Sequence, residues 1–390
     1  IGKDHYFIKN TLTGDPIERQ MSRIDWDFEE TKKGGYPHFM LKEIHQGASA
    51  VTAALQIDER EIKQLAQMIH ESDRTFLIGI GTTYYVSLAG QYYFSSLADK
   101  FIPAISCDEF EHLGKIDKKT LVIAASQSGE TYDTLRALRY AKARGGKTAA
   151  IVNVMGSTMA REVDLAIIQG AGPEICVLST KAAFSQIAIL IRLALEVASL
   201  EGTITQNDKD EMYSQLHELP DKLRTIYNQL GGKIRTIATK YSKIKNWLFI
   251  GRGIYNPVAL ESALKFKEVS YLHAEGMPGG FLKHGTIALI DDDMYTLAFI
   301  PTREEADLFD FTISNVQEIK ARNGFVIGFH FGEESHDKLF GEEIILPKAP
   351  KLIAPFLHLT VGQLLAYFTA VSLKRNVDQP RALAKSVTVA

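Results

Sequence analysis

The sequence predicts an α/β protein of two similar three-layer subdomains, each a parallel sheet flanked by helices, joined by a helical linker. Three observations support this prediction. Short apolar runs bounded by turns alternate with helical patterns, which is typical of a parallel sheet covered on both faces. A unit of apolar strand plus glycines occurs twice, and the stretch between the two copies is polar without any strand signal.

The first half contains five short apolar runs that indicate strands. They lie at 75–80, 102–107, 121–125, 148–154 and 165–169. Helical patterns follow the first and the third of these runs, at 84–97 and 132–143. This alternation predicts one complete α/β subdomain in the first half of the chain.

The second half repeats the same order. An apolar run at 247–250 ends in Gly251-Arg252-Gly253, as the first run ends in Gly79-Ile80-Gly81, and residues 79 and 251 lie 172 positions apart. A spacing of that size suggests an internal duplication. The remaining expected elements are a helix to about 271, strands at 294–300 and 324–329, and helices at 306–321 and 352–373.

The expected domain boundaries follow from these patterns. Residues 1–50 are mixed polar with two glycine turns and are interpreted as an approach segment, not as a third core. The first subdomain is expected at 51–205 and the second at 246–376. A helical hairpin at 206–241, within a connector at 206–245, is expected to join them. A C-terminal tail is expected at 377–390.

Composition excludes several function classes. The 390 residues are 45% hydrophobic and 23% charged with a net charge of −3, so no global field attracts nucleic acid or an anionic membrane. Two cysteines give neither a disulfide framework nor metal-ligand spacing, which fits a reducing compartment. Gln186, Arg192 and Glu196 interrupt the apolar stretch at 182–200, which favours a buried core helix over a membrane span. A chain that begins at Ile1 without a signal pattern is expected to be part of a longer cytoplasmic protein.

The clearest motif is Ser-Gln-Ser-Gly-Glu-Thr at 126–131, called here the phosphate loop, which follows the buried run at 121–125. Its hydroxyls can donate protons to phosphate oxygens, and its glycine allows close approach to the backbone. A helix is expected to begin near Glu130, so its first amides and dipole would favour an anion. The alternative for these hydroxyls is ordinary helix capping. Three of them around one glycine at a strand end favour phosphate binding.

Two further hydroxyl pairs lie at expected element ends, Thr82-Thr83 after the first strand and Ser179-Thr180 before a helix. All three hydroxyl-rich turns are expected to converge on one sugar phosphate. A P-loop is excluded because the phosphate loop has no lysine. A dinucleotide site is discounted because Tyr84 stands where the fingerprint needs a third glycine.

A reactive cluster is expected in the second half. Lys265 and Glu268 are three positions apart and share a helix face, although such pairs are usually solvated salt bridges. Apolar neighbours such as Leu264 and Tyr271 argue against a plain surface helix. His284 follows two glycines in a loop, and histidine is the residue type suited to giving and taking protons near neutral pH, but a loop histidine is by default merely exposed.

Several motifs occur together along nearly the whole chain. They are 37–44 (Pro-His-Phe-Met-Leu-Lys-Glu-Ile), 126–131, 179–181 (Ser-Thr-Lys), 264–271 with 273–275, 282–285 (Leu-Lys-His-Gly) and 378–389. In combination they resemble the glucosamine-6-phosphate synthase family (glutamine–fructose-6-phosphate aminotransferase, isomerising), whose two sugar-isomerase (SIS) subdomains follow a glutaminase domain. That glutaminase domain is not part of this sequence, and the resemblance implies that residues 1–50 are the linker from it. The resemblance also implies that the tail at 377–390 closes the active site.

The resemblance implies a substrate site and its residues. The phosphate would be held by Thr82, Ser126, Gln127, Ser128 and Thr131, with Thr83 where the family often has serine. The sugar would contact Val177, Ser179 and Ala384. The substrate and products would be fructose 6-phosphate, glucosamine 6-phosphate and glucose 6-phosphate.

The resemblance also implies the catalytic roles. His284 resembles the acid and base that opens the sugar ring and that enters from the neighbouring subunit of a homodimer. Lys385 resembles the lysine that forms a Schiff base with the opened ketose. Glu268 resembles the base that moves a proton between C1 and C2, and Lys265 assists at the hydroxyl. This chemistry requires no metal or organic cofactor.

The sequence departs from the family at four positions without losing a catalytic group. Phe281 and Thr286 stand where the family usually has glutamate and proline, and Ala183 and Ala390 where it has an aromatic residue and glutamate. Two rival functions stay open: a stand-alone glucosamine-6-phosphate deaminase and a non-catalytic sugar-phosphate sensor. The linker-like segment argues against the deaminase, and a sensor has no use for the four reactive residues together.

Overall fold

Two five-stranded parallel sheets covered by helices form the framework of the protein in a computed structural model. The structure describes residues 6–18, 31–332 and 339–389. The rest of the predicted linker and Ala390 lie outside the described residues. Every pairing within the two sheets is parallel, which confirms the predicted fold class.

The first sheet has the strand order β2-β1-β3-β4-β5. Its strands are β1 (Arg74–Gly79), β2 (Ala104–Ser106), β3 (Thr120–Ser126), β4 (Lys147–Val152) and β5 (Leu165–Ile168). Three helices precede it: α1 (Phe39–His45), α2 (Gly47–Leu55) and α3 (Glu59–Glu71). The others are α4 (Thr82–Ala98), α5 (Phe110–Leu113), α6 (Tyr132–Ala143), α7 (Thr158–Glu162) and α8 (Lys181–Glu201). The central strand β3 is buried at all seven residues, as expected for a sheet covered on both faces.

The second sheet has the strand order β10-β9-β8-β6-β7. Its strands are β6 (Asn246–Gly251), β7 (His273–Pro278), β8 (Met294–Phe299), β9 (Phe325–His330) and β10 (Glu342–Ile345). The helices α9 (Gln206–Thr225) and α10 (Gly231–Lys240) lead into it, and α11 (Tyr255–Ser270), α12 (Ala306–Lys320) and α13 (Ala354–Ser372) cover it. The edge strands β7 and β10 were not predicted from the sequence.

The two glycine units have the same geometry, which agrees with an internal duplication. A Cβ placed on Gly79 would lie 2.4 Å from the carbonyl carbon of Thr83, and one on Gly251 would lie 2.1 Å from the carbonyl oxygen of Tyr255. In both subdomains the first strand therefore ends against the first turn of the following helix. Any side chain at either glycine would push that helix away.

The connector is helical, but the predicted hairpin at 206–241 is wrong. Helix α9 continues through a π-helical turn (Ile226–Leu230) into α10 without folding back. The backbone stays helical at Ile226 and at Gly231, where φ is −52°. Buried side chains such as Leu219 and Ile234 pack one face of this run into the main core, which keeps it continuous.

The core extends across both subdomains and includes part of the predicted linker. Met40 and Val51 are fully buried in it, so α1 and α2 belong to the folded body and the expected boundary at residue 50 falls inside α2. Two described helices, α8 and α13, are long and apolar enough to cross a membrane, but 89% of the apolar stretch of each is buried inside the protein. The apolar stretch at 182–200 is therefore a core helix, as predicted.

Candidate functional site

The phosphate loop closes on itself where β3 ends. The Ser126 hydroxyl accepts a hydrogen bond from the Gly129 amide at 3.0 Å, and the Ser128 hydroxyl accepts one from the Glu130 amide at 3.2 Å. Helix α6 begins at Tyr132 instead of near Glu130. Its N-cap residue Thr131 makes no side-chain capping bond, so ordinary capping of α6 does not account for these hydroxyls. Because both serines use lone pairs in the loop, their protons remain available to a ligand oxygen.

A second loop, which leads into α7, supports the phosphate loop. Gly129 has φ +67°, and a Cβ there would lie 2.2 Å from the Ser157 hydroxyl oxygen. The Gly129 carbonyl accepts from the Met159 amide at 3.0 Å, and the Glu130 carboxylate accepts from the Thr158 amide at 2.7 Å. The phosphate loop is therefore preorganised by contacts outside itself.

The two threonines at the start of α4 have different surroundings. The Thr83 hydroxyl accepts from the amide of Ile80 and donates to its carbonyl, at 2.9 and 3.0 Å, so it closes its own turn. The Thr82 hydroxyl instead donates to Glu261 of the second subdomain at 3.1 Å. Thr82 thus joins the two halves of the protein beside α11.

Helix α11 carries a buried charge cluster. The Lys265 ammonium lies 2.6 Å from Glu268 and 3.6 Å from Glu261, and its side chain is only 1% exposed. The predicted shared face is confirmed, and the alternative of a solvated salt bridge is wrong. Burial raises the pKa of Glu261 to about 8 against the opposing effect of Lys265. Burial alone would lower the pKa of Lys265, but the two carboxylates outweigh it and raise that pKa.

The C-terminal tail lies against the first subdomain. Its backbone carbonyls at Asp378 and Val387 accept from the amides of Val177 and Tyr132, at 3.1 and 3.0 Å. Tyr132 opens α6 directly after the phosphate loop, so the tail reaches the start of the helix expected to face a phosphate. The tail also brings Lys385 to within 2.8 Å of the Glu174 carboxylate.

The side chain of Glu174, seven residues before α8 in the sequence, is fully buried beside the first turn of that helix. One carboxylate oxygen accepts from the amides of Thr180 and Ala182, at 2.8 and 3.1 Å, and the other binds Lys385. Burial favours the neutral carboxyl, but the Lys385 ammonium and the two amides outweigh burial and lower the pKa of Glu174. In the same turn the buried Ser179 hydroxyl has no hydrogen-bond partner among the described residues.

The structure separates His284 from these groups. It is the exposed last residue of a 3-10 helix (Gly279–His284), and within the described part of the chain no hydrogen bond or ion pair links it to Lys265 or Lys385. The same segment exposes 63% of Phe281. Ala384 is also exposed, in the tail next to Lys385.

Sequence reasoning missed three buried carboxylates of this region: Glu43, Glu174 and Glu261. Glu261 lies four positions before Lys265, so helical periodicity was a usable signal for it. Glu43 and Glu174 are 131 positions apart and carry no local pattern. Only the tertiary fold brings them to the same loop, where Glu43 accepts from the amides of Ile175 and Cys176.

The chain matches the SIS domain family over residues 68–195 and 240–372. Glutamine–fructose-6-phosphate aminotransferases (isomerising) of Methanocaldococcus jannaschii and Methanococcus maripaludis are each 45% identical to it over 96% of its length, which is 33% and 61% of theirs. The chain thus spans less than two thirds of these relatives. The C-terminal domain of glucosamine-fructose-6-phosphate aminotransferase from Francisella tularensis superimposes with a TM-score of 0.82 at 31% identity, covering 89% of this chain and all of that domain. The chain therefore belongs to the SIS domain family, with two SIS domains, and corresponds to the isomerase half of the glutamine–fructose-6-phosphate aminotransferases.

Proposed function

We propose that this chain converts fructose 6-phosphate and ammonia to glucosamine 6-phosphate and water. The observation that carries the proposal is the ion pair on α11 between the buried Lys265 and the partly buried Glu268, which the Thr82–Glu261 bond ties to the subdomain with the phosphate loop. A partly exposed carboxylate beside a buried ammonium suits a proton shift between adjacent carbons of a bound sugar. A sugar phosphate between the two subdomains can reach both groups.

The phosphate would bind at the phosphate loop, through Ser126, Gln127, Ser128 and Thr131, with Thr82 at the edge. Two serine hydroxyls with available protons and the start of α6 support this assignment. Thr83 is the weakest of the proposed contacts because its hydroxyl already closes a turn. The sugar hydroxyls would contact the turn at 177–179 and Ala384, where the unpartnered Ser179 hydroxyl is ready for a ligand.

The reaction then has four steps. His284 moves a proton between ring oxygen and C2 hydroxyl to open the sugar. The neutral Lys385 amine attacks the C2 carbonyl, and the carbonyl oxygen leaves as water to give an imine. Ammonia displaces Lys385 from C2. Glu268 then takes a proton from C1 and returns it to C2 while Lys265 assists at the C1 hydroxyl. That hydroxyl loses its proton to become the aldehyde oxygen, and the C2 imine nitrogen gains one to become the amine.

The rivals explain the site less well. A stand-alone deaminase would use nearly the same groups, but the relatives that match 96% of this chain are named as aminotransferases. A sugar-phosphate sensor needs the phosphate loop alone. It gains nothing from a buried ammonium held between a buried and a partly buried carboxylate, because removing such charges from water costs stability.

Assembly and location belong to the same proposal. We propose a cytoplasmic homodimer in which His284 completes the neighbouring subunit's site. The exposed position of His284, apart from Lys265 and Lys385, supports an origin in a second copy. Ammonia would come from a glutaminase domain in the longer protein, as the greater length of the relatives suggests.

The activity is tested by incubating the chain with fructose 6-phosphate, with and without glutamine or ammonium, and following products by NMR. Slow conversion to glucose 6-phosphate is expected because the open-chain ketose undergoes the same proton shift without ammonia. Glutamine should remain unchanged. Failure to isomerise, or hydrolysis of glutamine by the purified chain, contradicts the proposal.

The assembly is tested by mixing two inactive variants, Glu268→Gln and His284→Ala. Random pairing makes about half of the dimers mixed, and each mixed dimer has one intact site, so about a quarter of all sites should work. Subunit exchange is checked by native mass spectrometry. If the exchanged mixture stays inactive, His284 acts within its own subunit.

A further inference from the structure

The loop at 174–180 is held between α1 and the C-terminal tail by two buried carboxylates. Glu43 of α1 binds the amides of Ile175 and Cys176, at 2.5 and 3.2 Å. Glu174 binds the first turn of α8 through one oxygen and Lys385 through the other. The loop that carries the proposed sugar contacts also binds tail carbonyls through the Val177 amide and the Cys176 thiol. Its bond to the Lys385 side chain is made by Glu174.

The charges explain why the pair of Glu174 and Lys385 stays together. The Glu174 side chain is 0% exposed and that of Lys385 is 27% exposed. Burial and the Glu174 charge raise the pKa of the nearby Glu43 to about 7, so Glu43 adds negative potential whenever it ionises. A buried carboxylate without its cation is strongly disfavoured, and Lys385 is the ammonium that balances it.

We propose that Glu174 positions the Lys385 amine in the sugar pocket by anchoring the C-terminal tail at the first turn of α8. This inference rests on the proposed function, in which Lys385 forms the imine. Other tail contacts, at Asp378, Arg381 and Val387, are made by the backbone or the side chains of those residues and leave the Lys385 side chain undirected. Glu174 alone among the described residues fixes the ammonium itself.

The expected loss of rate on removing the Glu174 contact follows from what positioning of the amine contributes to imine formation. Imine formation needs the amine within contact distance of C2, and a misplacement of about 1 Å costs about 100-fold. Loss of the Glu174 contact should therefore slow imine formation by about 10- to 100-fold. Sugar-phosphate affinity should change less than about twofold because the phosphate loop does not depend on Glu174.

The test variant is Glu174→Gln. Its amide oxygen can keep both bonds to the start of α8, while its NH2 group replaces the acceptor of Lys385. Glu162→Gln is the matched control, because Glu162 pairs with Arg139 on the surface of the same subdomain at 2.7 Å. Circular dichroism and thermal melting establish that all three proteins are folded.

The first measurement needs no sugar. Acetylation of Lys385 by acetic anhydride, followed by peptide mass spectrometry, should be about tenfold faster in Glu174→Gln than in wild type, since a lost charged hydrogen bond is worth that factor or more. The Glu162→Gln control should match wild type. Equal rates in all three proteins overturn the proposal, whatever the protein's activity.

The second measurement uses fructose 6-phosphate at saturation with borohydride, and counts the reduced imine on Lys385 by mass. A 10- to 100-fold slower trapping in Glu174→Gln with unchanged sugar affinity supports positioning. Wild-type trapping speed in the variant overturns it. If wild type itself traps nothing, the proposed function fails, and the acetylation result still decides the positioning.

A second variant covers the case in which Glu174→Gln does not fold. Glu174→Asp keeps the charge but withdraws the carboxylate by one methylene from Lys385. This variant should also show faster acetylation of Lys385 and slower imine trapping, but both changes should be smaller than in Glu174→Gln. Acetylation and trapping at wild-type rates in that variant also overturn the proposal.

Discussion

Gly129→Ala is the sharpest test of how the phosphate loop is held. Gly129 has φ +67°, and an added Cβ would lie 2.2 Å from the hydroxyl oxygen and 2.6 Å from the Cβ of Ser157. The substitution therefore combines a strained backbone with a collision. Because the Gly129 amide and carbonyl bind Ser126 and Met159, relief of the collision must move the phosphate loop.

Gly156→Ala is a matched control from the adjacent loop. Gly156 has φ +72°, but nothing lies within 4 Å of its added Cβ. The left-handed backbone costs a non-glycine residue about 1–2 kcal/mol at either position. Overpacking adds about 1–3 kcal/mol for Gly129→Ala only. The expected loss of unfolding free energy is thus about 2–5 kcal/mol for Gly129→Ala and about 1–2 kcal/mol for Gly156→Ala.

Urea denaturation measures the stability loss, and calorimetric titration with fructose 6-phosphate measures binding. Affinity should fall at least about tenfold in Gly129→Ala, equal to about 1.4 kcal/mol, and stay within about twofold in Gly156→Ala. Adding Ser157→Gly to Gly129→Ala should restore the affinity and the overpacking part of the stability loss, since glycine at this cap of α7 costs only a few tenths of a kcal/mol. The backbone part of about 1–2 kcal/mol should remain. Equal effects of the two alanine variants, or no rescue, refute the proposed collision.

Three further predictions concern single side chains. Ser128→Ala or Thr131→Ala should weaken sugar-phosphate binding by about 1.5–3 kcal/mol in calorimetry without unfolding the chain, and unchanged affinity would assign those hydroxyls to loop structure alone. Glu268→Gln should abolish deuterium incorporation at C1 in heavy water while sugar binding persists, with the exposed Glu59→Gln as control; near wild-type exchange would point to another base. Burial and the Glu174 charge raise the pKa of Glu43 from 4.5 to about 7, so its protonated form favours the folded state fully below pH 4.5, and this contribution is lost as pH rises through about 7. Wild type should therefore lose about 2–3 kcal/mol more than Glu43→Gln between pH 5 and 7.5 in urea denaturation, and parallel curves would contradict the shift.

Periodicity and turn residues were sufficient for the central elements of the fold. Helix α6 spans the helical pattern predicted at 132–143, although the turn residues had suggested a start near Glu130, and β3 and β8 agree within one residue. The missed strands β7 and β10 are edge strands with a single pairing each. Their sequences, with Glu275, Pro278 and the pair Glu342-Glu343, lack the continuous apolar run that marks a central parallel strand.

The candidate site was predictable where its residues adjoin a strand end or share a helix turn. This applies to the phosphate loop and to Lys265 with Glu268. It fails for Glu43 and Glu174, because each lies in a segment without periodic signal and acquires its role from chain segments more than a hundred residues away. Because burial of an unpaired carboxylate is costly, Glu43 and Glu174 need hydrogen-bond donors or a cation beside them. The tertiary fold supplies these groups, and the local sequence does not indicate them.

The duplication explains why neither half of the protein suffices for the proposed chemistry. Both halves repeat the close approach of strand and helix at Gly79 and Gly251, but only the first continues into hydroxyl residues, and only the second places Lys265 within its helix. The Thr82–Glu261 bond joins the segment that follows the glycine unit in the first subdomain to the helix that follows it in the second. Since parallel strands direct the loops at their carboxyl ends toward one edge, two diverged copies facing each other can supply an anion site and a proton-transfer site to one small ligand. A single subdomain would hold the phosphate without the base, or the base without the phosphate.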